Sequence, residues 1–178
     1  MLLDRLGIPF ECLSPAVDES ALAGESPLAL VTRLAAEKAH SVSKTNRRAV
    51  VIGSDQVAVC NGRIIGKPGN YETALAQLSS FSGQVVEFLT AVSVQCLDTG
   101  FSERHIDTTR VGFRELQSAE IERYLVAEEP FDCAGAFKAE SLGIALFDYI
   151  RSDDPTALIG LPLIGTAGML RRAGLQLP

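Results

Sequence analysis

Residues 50–59, VVIGSDQVAV, constrain the fold of this chain more than any other stretch. The β-branched ends are typical of a buried strand, whereas the middle carries the carboxylate of Asp55 and the amide of Gln56. Since alternate residues of a strand share a face, Gly53 and Asp55 point to the same side as the neighbouring valines. A carboxylate among valines must be paired, metal-bound or protonated, because burying it alone is costly. The stretch therefore predicts either a structural ion pair or a functional carboxylate.

The segment before this strand has the pattern of an amphipathic helix. Ser26 matches an N-cap, Pro27 matches a first helical residue, and the helix is expected to run to about Val42. Its apolar stripe consists of Leu30, Val31, Leu34 and Ala35. Lys38 continues that stripe, which is unusual for a lysine. Its stem could pack while its amine reaches water, or the amine could pair with Asp55.

The rest of the chain alternates further strands with further helices. Strands are predicted at 49–59, 63–65, 84–97, 101–113 and 143–150. Asn61-Gly62 is typical of a type I′ hairpin turn between the first two strands. Helices are predicted from Asn70 to near Gly83, from a Ser118 cap to about Ala127, and at 163–173; residues 1–6 with Gly7 resemble the last turns of another helix. This pattern predicts one domain over residues 1–178, an α/β or α+β sheet covered by helices with some antiparallel strands.

Composition disfavours several classes of protein. The chain is 47% hydrophobic and 21% charged, which is typical of a globular domain. Its net charge of −6 argues against a general nucleic-acid or anionic-membrane binder, although a small phosphorylated ligand needs only a few local lysines. Four cysteines without a CxxC pair and only two histidines disfavour a zinc site. With no visible signal peptide or transmembrane run, we expect a cytoplasmic protein with reduced thiols.

Several other charged residues stand beside glycines or short apolar runs. Asp18 and Glu19 follow Pro-Ala-Val, Lys67 lies between a glycine and a proline, and Lys138 and Glu140 lie in CAGAFKAES. Carboxylates can hold Mg²⁺ and lysines can neutralise phosphates. Together with Asp55, this set suits cleavage of a nucleotide phosphoanhydride bond.

Six segments in order resemble the motifs of the Maf nucleotide pyrophosphatases. They are VDES, RLAAEKA, VVIGSDQV, GKP, CAGAFKAESLG and LIGLPL. The resemblance is closest to the branch that hydrolyses 7-methyl-GTP, which carries Gln after the motif aspartate and Glu in the FKAE segment. Here these are Gln56 and Glu140. The dTTP/UTP branch typically has Thr and Gln at the two places.

The resemblance implies catalytic roles for three residues. Asp55 matches the proton acceptor that activates water, and Lys38 and Lys67 match lysines that stabilise the leaving diphosphate. A divalent cation, Mg²⁺ or Mn²⁺, is implied as cofactor, with Asp55 and Glu19 as its ligands. The reaction implied is hydrolysis of 7-methyl-GTP to 7-methyl-GMP and diphosphate.

The resemblance also implies how substrate and fold are arranged. Gln56 and Glu140 match specificity positions, and Lys138 and Glu19 are expected to bind substrate. A glutamate can accept hydrogen bonds from N1–H and the exocyclic amine of guanine, and its charge suits the cationic 7-methylated base. The implied fold is a mixed twisted sheet in two lobes around a nucleotide cleft, often as a homodimer.

One departure from the family and two alternative functions stay open. Family members begin with a strand and a Ser-x-x-Arg loop that grips phosphates; neither is in this sequence. We therefore expect a truncated amino terminus, through a start placed too late or a fragment, and lower stability and activity than in an extended chain. The alternatives are a nucleotide-binding regulatory protein of septum formation without turnover, and a pyrophosphatase for another nucleotide such as UTP or dTTP.

Overall fold

The computed structural model describes residues 2–177 and has an α/β architecture. The helices are α1 (Pro27–Ser43), α2 (Tyr71–Phe81), α3 (Ser118–Glu128) and α4 (Leu163–Arg172). The strands are β1 (Val51–Cys60), β2 (Arg63–Ile65), β3 (Val85–Cys96), β4 (Phe101–Phe113) and β5 (Phe147–Arg151). They form one sheet in the order β2-β1-β3-β4-β5, with β1–β2 and β4–β5 antiparallel. The α/β class expected from the sequence is confirmed.

The chain forms two compact units. The first unit comprises Met1–Asp55, Thr90–Asp107 and Asp154–Pro178, and so includes α1 and α4. The second unit comprises Gln56–Leu89 and Thr108–Asp153, and so includes α2 and α3. Strands β1, β3 and β4 each contribute residues to both units.

The first unit is organised around helix α1 and a core beside helix α4. Ser26 caps α1 as predicted, its Oγ accepting from the N–H of Ala29 at 3.2 Å, and the predicted apolar stripe is buried. The core beside α4 is built from Val92, Val94, Met169 and Leu170. Residues Leu6, Ile8, Val50 and Ile52 are among those that pack against it. The even-numbered side of the β1 stretch therefore faces a core, as its alternation predicts.

The second unit is held by a cluster of aromatic rings. Its members are Phe81, Phe88, Phe113, Phe137 and Phe147. Neighbouring ring centroids lie 4.9 to 5.7 Å apart, and most pairs are close to perpendicular, which is a favoured arrangement of aromatic quadrupoles. Helices α2 and α3 also pack against each other in this unit.

Local turn and cap signals are confirmed in the second unit. Asn61 and Gly62 both have positive φ, 50° and 75°, as a type I′ turn requires, and Cys60 pairs with Arg63 across the hairpin. Helix α2 starts after Asn70, whose Oδ1 accepts from the N–H of Thr73 at 2.8 Å. These signals involve residues within a few positions of each other, so they are legible without tertiary contacts.

Two predicted boundaries are wrong. Ser118 is the first residue of α3 rather than its cap; the cap is Gln117, whose N–H donates to Glu120 Oε2 at 2.8 Å. The strand predicted at 143–150 begins only at Phe147, because Leu142–Leu146 forms a 3₁₀ turn. That turn follows a reversal of the chain in which the N–H of Gly143 donates to the carbonyl of Lys138 at 3.1 Å.

The first described residues form a shorter element than expected. Leu3–Leu6 is a 3₁₀ turn ended by Gly7 at φ 65°, and Leu6 packs against the core beside α4. The glycine terminator is confirmed, whereas Met1 lies outside the described residues. Within residues 2–177, none of the helices combines the length and apolar character that crossing a membrane requires.

Candidate active site

Three of the predicted site residues come together in the first unit, where Lys38 bridges two carboxylates. Its Nζ lies 2.7 Å from Asp55 Oδ1 and 2.6 Å from Glu19 Oε1. The Asp55 side chain is only 11% exposed, whereas that of Glu19 is 54% exposed. We call Glu19, Lys38 and Asp55 the acid–lysine cluster. The amine of Lys38 is therefore paired with two carboxylates and does not merely reach solvent.

The charge state of Lys38 follows from these contacts. Burial acts to lower the pKa of its amine, but the hydrogen bonds to Asp55 and then to Glu19 outweigh burial and raise the pKa above its ordinary value. The amine is thus a persistent ammonium at neutral pH.

Close packing of helix α1 on strand β1 brings Lys38 to Asp55. Gly53 lies against the backbone of the helix, so that a Cβ at this position would stand 2.5 Å from the N of Ala39 and closer still to the carbonyl of Ala35. Since Gly53 and Asp55 share a face of β1, the same approach places the carboxylate beside the helix. The glycine two residues before the motif aspartate is therefore part of how the site is built.

The loop that supplies Glu19 is tied to helix α1 through Arg33. The guanidinium makes two hydrogen bonds to Glu25, each of 2.8 Å, and a third of 3.0 Å to the carbonyl of Ser20. A fourth bond, of 3.1 Å, reaches Glu37 one turn along the helix. Paired fork geometry of this kind is the strong form of a guanidinium–carboxylate contact. Arg33 thus holds the chain on both sides of residues 21–24, next to Glu19.

The donor set of the acid–lysine cluster fits a hard divalent cation. Mg²⁺ is commonly held by one or two carboxylates, with water and substrate phosphates supplying its other ligands. Asp55 and Glu19 converge on one ammonium, so their carboxylates lie near each other. Across residues 2–177, His, Cys, Asp and Glu form no group of three or more that could hold a metal alone. Asp55 and Glu19 are therefore the residues of the cluster that would hold such a cation.

In the second unit, Lys138 and Glu140 lie on one turn beside helix α3. Lys138 Nζ donates to the carbonyl of Glu128 at 2.8 Å, and its N–H donates to the hydroxyl of Tyr124 at 3.0 Å. Burial raises the pKa of the Tyr124 hydroxyl, which stays neutral. Glu140 is exposed to solvent. Lys138 therefore neutralises the carbonyl end of α3, a favourable place for a cation, and its role toward substrate stays a prediction.

Lys67 and Gln56 occupy different parts of the second unit. Lys67 is exposed in the loop after β2, and the N–H of Gly69 in that loop donates to the carbonyl of Phe131 at 2.9 Å. This bond ties the Lys67 loop to the chain that leads into CAGAFKAES. Gln56 is partly buried in β1, directly after Asp55. The roles of both residues stay predictions.

The sequence did not predict the supporting roles of four residues: Glu25, Arg33, Tyr124 and Glu128. Arg33 and Glu37 have the i,i+4 spacing of a helical ion pair, which was a legible signal. The contacts of Glu25 and Glu128 cross loops, and no spacing rule predicts which glutamate such a loop will reach. Tyr124 and Glu128 contact the segment that carries Lys138 and Glu140, and Glu25 and Arg33 hold the chain next to Glu19.

Three similar proteins from different bacteria carry the same name. A 7-methyl-GTP pyrophosphatase of Polaromonas sp. is 55% identical over 176 residues, which cover 99% of this chain and 80% of that protein. A protein of the same name from Xanthomonas campestris pv. campestris is 56% identical over 177 residues, covering 99% and 92%. A third, from Idiomarina loihiensis, is 50% identical over 177 residues, covering 98% and 89%.

The family comparison covers almost the whole chain. The model of the family described as Maf-like protein matches residues 1–173. The matched region includes all of the second unit, most of the first unit and every predicted site residue. The chain therefore belongs to the Maf family.

Proposed function

We propose that this chain hydrolyses 7-methyl-GTP to 7-methyl-GMP and diphosphate. The observation that carries the proposal is that relatives named 7-methyl-GTP pyrophosphatase are 50% to 56% identical over 98% to 99% of the chain. Gln56 and Glu140, the residues expected to distinguish this branch, are both present. In the reaction the bond between the α- and β-phosphates breaks, and water supplies the new oxygen and protons of the products.

Asp55 is the proposed general base. Its carboxylate is largely shielded from solvent and is held by the Lys38 ammonium at 2.7 Å, which restricts its orientation. A carboxylate can accept the proton of that water as the water attacks phosphorus. The ammonium of Lys38 would at the same time offset negative charge that develops on the phosphates. Lys67, an exposed cation, is proposed to do the same for the leaving diphosphate.

A divalent cation is the proposed cofactor, held by Asp55 and Glu19 together with the substrate phosphates. When bound, Mg²⁺ or Mn²⁺ supplies positive charge that polarises phosphoryl oxygens. The residues of the chain would bind and orient the cation: the Glu19 side chain is 54% exposed and so is reachable by a ligand, while Asp55 is held by Lys38. We place the protein in the cytoplasm, where nucleotide substrates are found and thiols stay reduced.

Glu140 is the proposed reader of the base. Its carboxylate offers acceptors for the N1–H and exocyclic amine of guanine, and its negative charge favours the cationic 7-methylated ring. Because it is exposed in the free protein, the carboxylate is available to a ligand without breaking internal contacts. A glutamine at this position would offer a single acceptor oxygen.

The test is a turnover assay on the purified chain with Mg²⁺ or Mn²⁺. We expect 7-methyl-GTP to yield 7-methyl-GMP and diphosphate at a higher kcat/KM than GTP, UTP or dTTP. Asp55→Asn should keep the fold but lose about 10²–10⁴-fold in rate, because an amide cannot accept the proton. Tight binding of 7-methyl-GTP without turnover would favour a nucleotide-binding regulatory protein. Preferred cleavage of UTP or dTTP would favour a pyrophosphatase for those nucleotides.

A further inference from the structure

The turn that carries Glu140 is closed around one carbonyl oxygen. The carbonyl of Lys138 accepts from the N–H of Gly143 at 3.1 Å and lies 3.4 Å from the N of Ser141. Gly143 packs directly on the backbone of Lys138, where no Cβ fits. Glu140 therefore projects from a short, tightly folded segment, and the position of its carboxylate depends on where that segment is held.

The end of helix α3 holds this segment at both of its ends. At the first end, the hydroxyl of Tyr124 accepts from the N–H of Lys138 and the carbonyl of Glu128 accepts from Lys138 Nζ. At the second end, Glu128 Oε1 accepts from the N–H of Leu142 at 3.0 Å. The side chain of Ser141 also hydrogen-bonds to the Glu128 carboxylate, which together with the Leu142 bond lowers the pKa of Glu128.

We propose that Glu128 is a positioning residue for base selection: its carbonyl and carboxylate clamp residues 138–142 and thereby aim Glu140. This inference rests on the proposed function, in which Glu140 reads the guanine edge. Glu128 contacts the segment from the helix side and is proposed to act through Glu140. Glu128 is the last residue of helix α3, so both of its acceptors, the main-chain carbonyl and the side-chain carboxylate, are attached to a regular helix.

The clamp matters because base reading requires close geometry. Without the Glu128 carboxylate, the N–H of Leu142 and the side chain of Ser141 lose a charged acceptor. The second end of the segment then keeps its turn bonds to the Lys138 carbonyl but loses this tie to helix α3. Glu140 would then sample many positions, and a displacement of about 1 Å in a recognition group can cost on the order of 10²-fold. The Asp55 carboxylate lies in the other unit, so the chemical step for a poorly recognised base should be unaffected.

The experiment compares kcat/KM for 7-methyl-GTP with kcat/KM for UTP in Glu128→Ala, Glu128→Gln and wild type. We expect Glu128→Ala to lower the ratio by about 10- to 100-fold, through a higher KM for 7-methyl-GTP, with kcat/KM for UTP retained. Glu128→Gln keeps an oxygen that accepts from Leu142 and should restore most of the ratio. Tyr124→Phe, which removes the acceptor for the N–H of Lys138, should shift the ratio in the same direction.

Hydrogen exchange of the Leu142 amide in the nucleotide-free protein gives an independent readout. We expect faster exchange in Glu128→Ala, while the matched control Glu122→Ala, an exposed glutamate on the same helix, should resemble wild type in exchange and in substrate ratio. An unchanged ratio in Glu128→Ala and in Tyr124→Phe, in proteins that remain folded, would overturn the inference. A wild-type chain that does not prefer 7-methyl-GTP would instead overturn the proposed function, and the exchange rates would then decide whether Glu128 clamps the segment.

Discussion

Gly53 shows how one absent side chain lets a helix and a strand meet at the site. A Cβ at this position would collide with backbone atoms of Ala35 and Ala39, which cannot rotate away. We expect Gly53→Ala to destabilise the protein by about 1–3 kcal/mol, as overpacking does, and to weaken activity by moving Asp55 relative to Lys38. Denaturant unfolding and the turnover assay would measure the two effects.

Gly66→Ala is the matched control for this prediction. Gly66 lies in a loop where a Cβ would meet open space and where φ is not in the left-handed region. The same chemical change should therefore leave stability near that of wild type. Equal stability of the two alanine variants would contradict the packing role assigned to Gly53.

In the proposed function, the preference for 7-methyl-GTP over UTP depends on Glu140 and Gln56. We expect Glu140→Gln combined with Gln56→Thr to lower kcat/KM for 7-methyl-GTP relative to UTP, because the paired acceptor for the guanine edge is gone. Both substrates would be offered in one competition assay. If the preference is unchanged, the base is read by other residues.

The loop before helix α1 is an element whose stability should depend on pH. In this loop the side chain of Glu25 bonds to Arg33 and also accepts from the N–H of Leu22. These two contacts, the first more than the second, lower the pKa of Glu25 from 4.5 to about 2. A carboxyl whose pKa is lower in the folded state stabilises that state fully above the unfolded pKa and loses this contribution as pH falls through the folded one. The contribution of the Glu25 carboxylate to stability is therefore lost as the pH falls from 4.5 to about 2.

A pH series on Glu25→Gln would measure this contribution. We expect the variant to melt below wild type at pH 7 and the difference to shrink as pH falls from 4.5 toward about 2. The exposed Glu122→Gln on α3 is a control with the same change of charge. A difference in melting temperature that persists unchanged at the lowest pH would rule out ionisation of Glu25 as its source.

Net charge belongs to the whole molecule and concerns its macromolecular partners. With 22 acidic and 16 basic residues, the chain carries a net charge of −6 at pH 7. Long-range repulsion should keep duplex DNA and anionic vesicles away at that pH, while a nucleotide bound by local lysines is unaffected. We expect no detectable binding of either polyanion at about 0.15 M salt, where the screening length is about 8 Å. Salt-sensitive binding of duplex DNA in a titration would contradict this.

Much of the local structure was legible in the sequence because its signals are short-range. The Ser26-Pro27 start of α1, the Asn61-Gly62 turn and the Asn70 cap each involve atoms within three residues of one another. The two wrong boundaries also show the limit of such signals. Gln117 rather than Ser118 caps α3, and the chain at Gly143 folds back on Lys138 instead of entering a strand, since close packing there excludes an extended course.

The amino-acid sequence alone showed which charged residues interrupt an apolar pattern and therefore need a partner. Asp55 and Lys38 each interrupt an apolar pattern, and burial of a charge requires a partner whatever the fold. The partners themselves became visible only in the folded chain: these two residues meet each other and Glu19, Arg33 holds the Glu19 loop through Glu25, and Glu128 bonds to the segment that carries Glu140. Side-chain pairing across loops depends on the path of the backbone, which long-range packing settles, whereas the free-energy cost of a buried charge is a property of the residue itself.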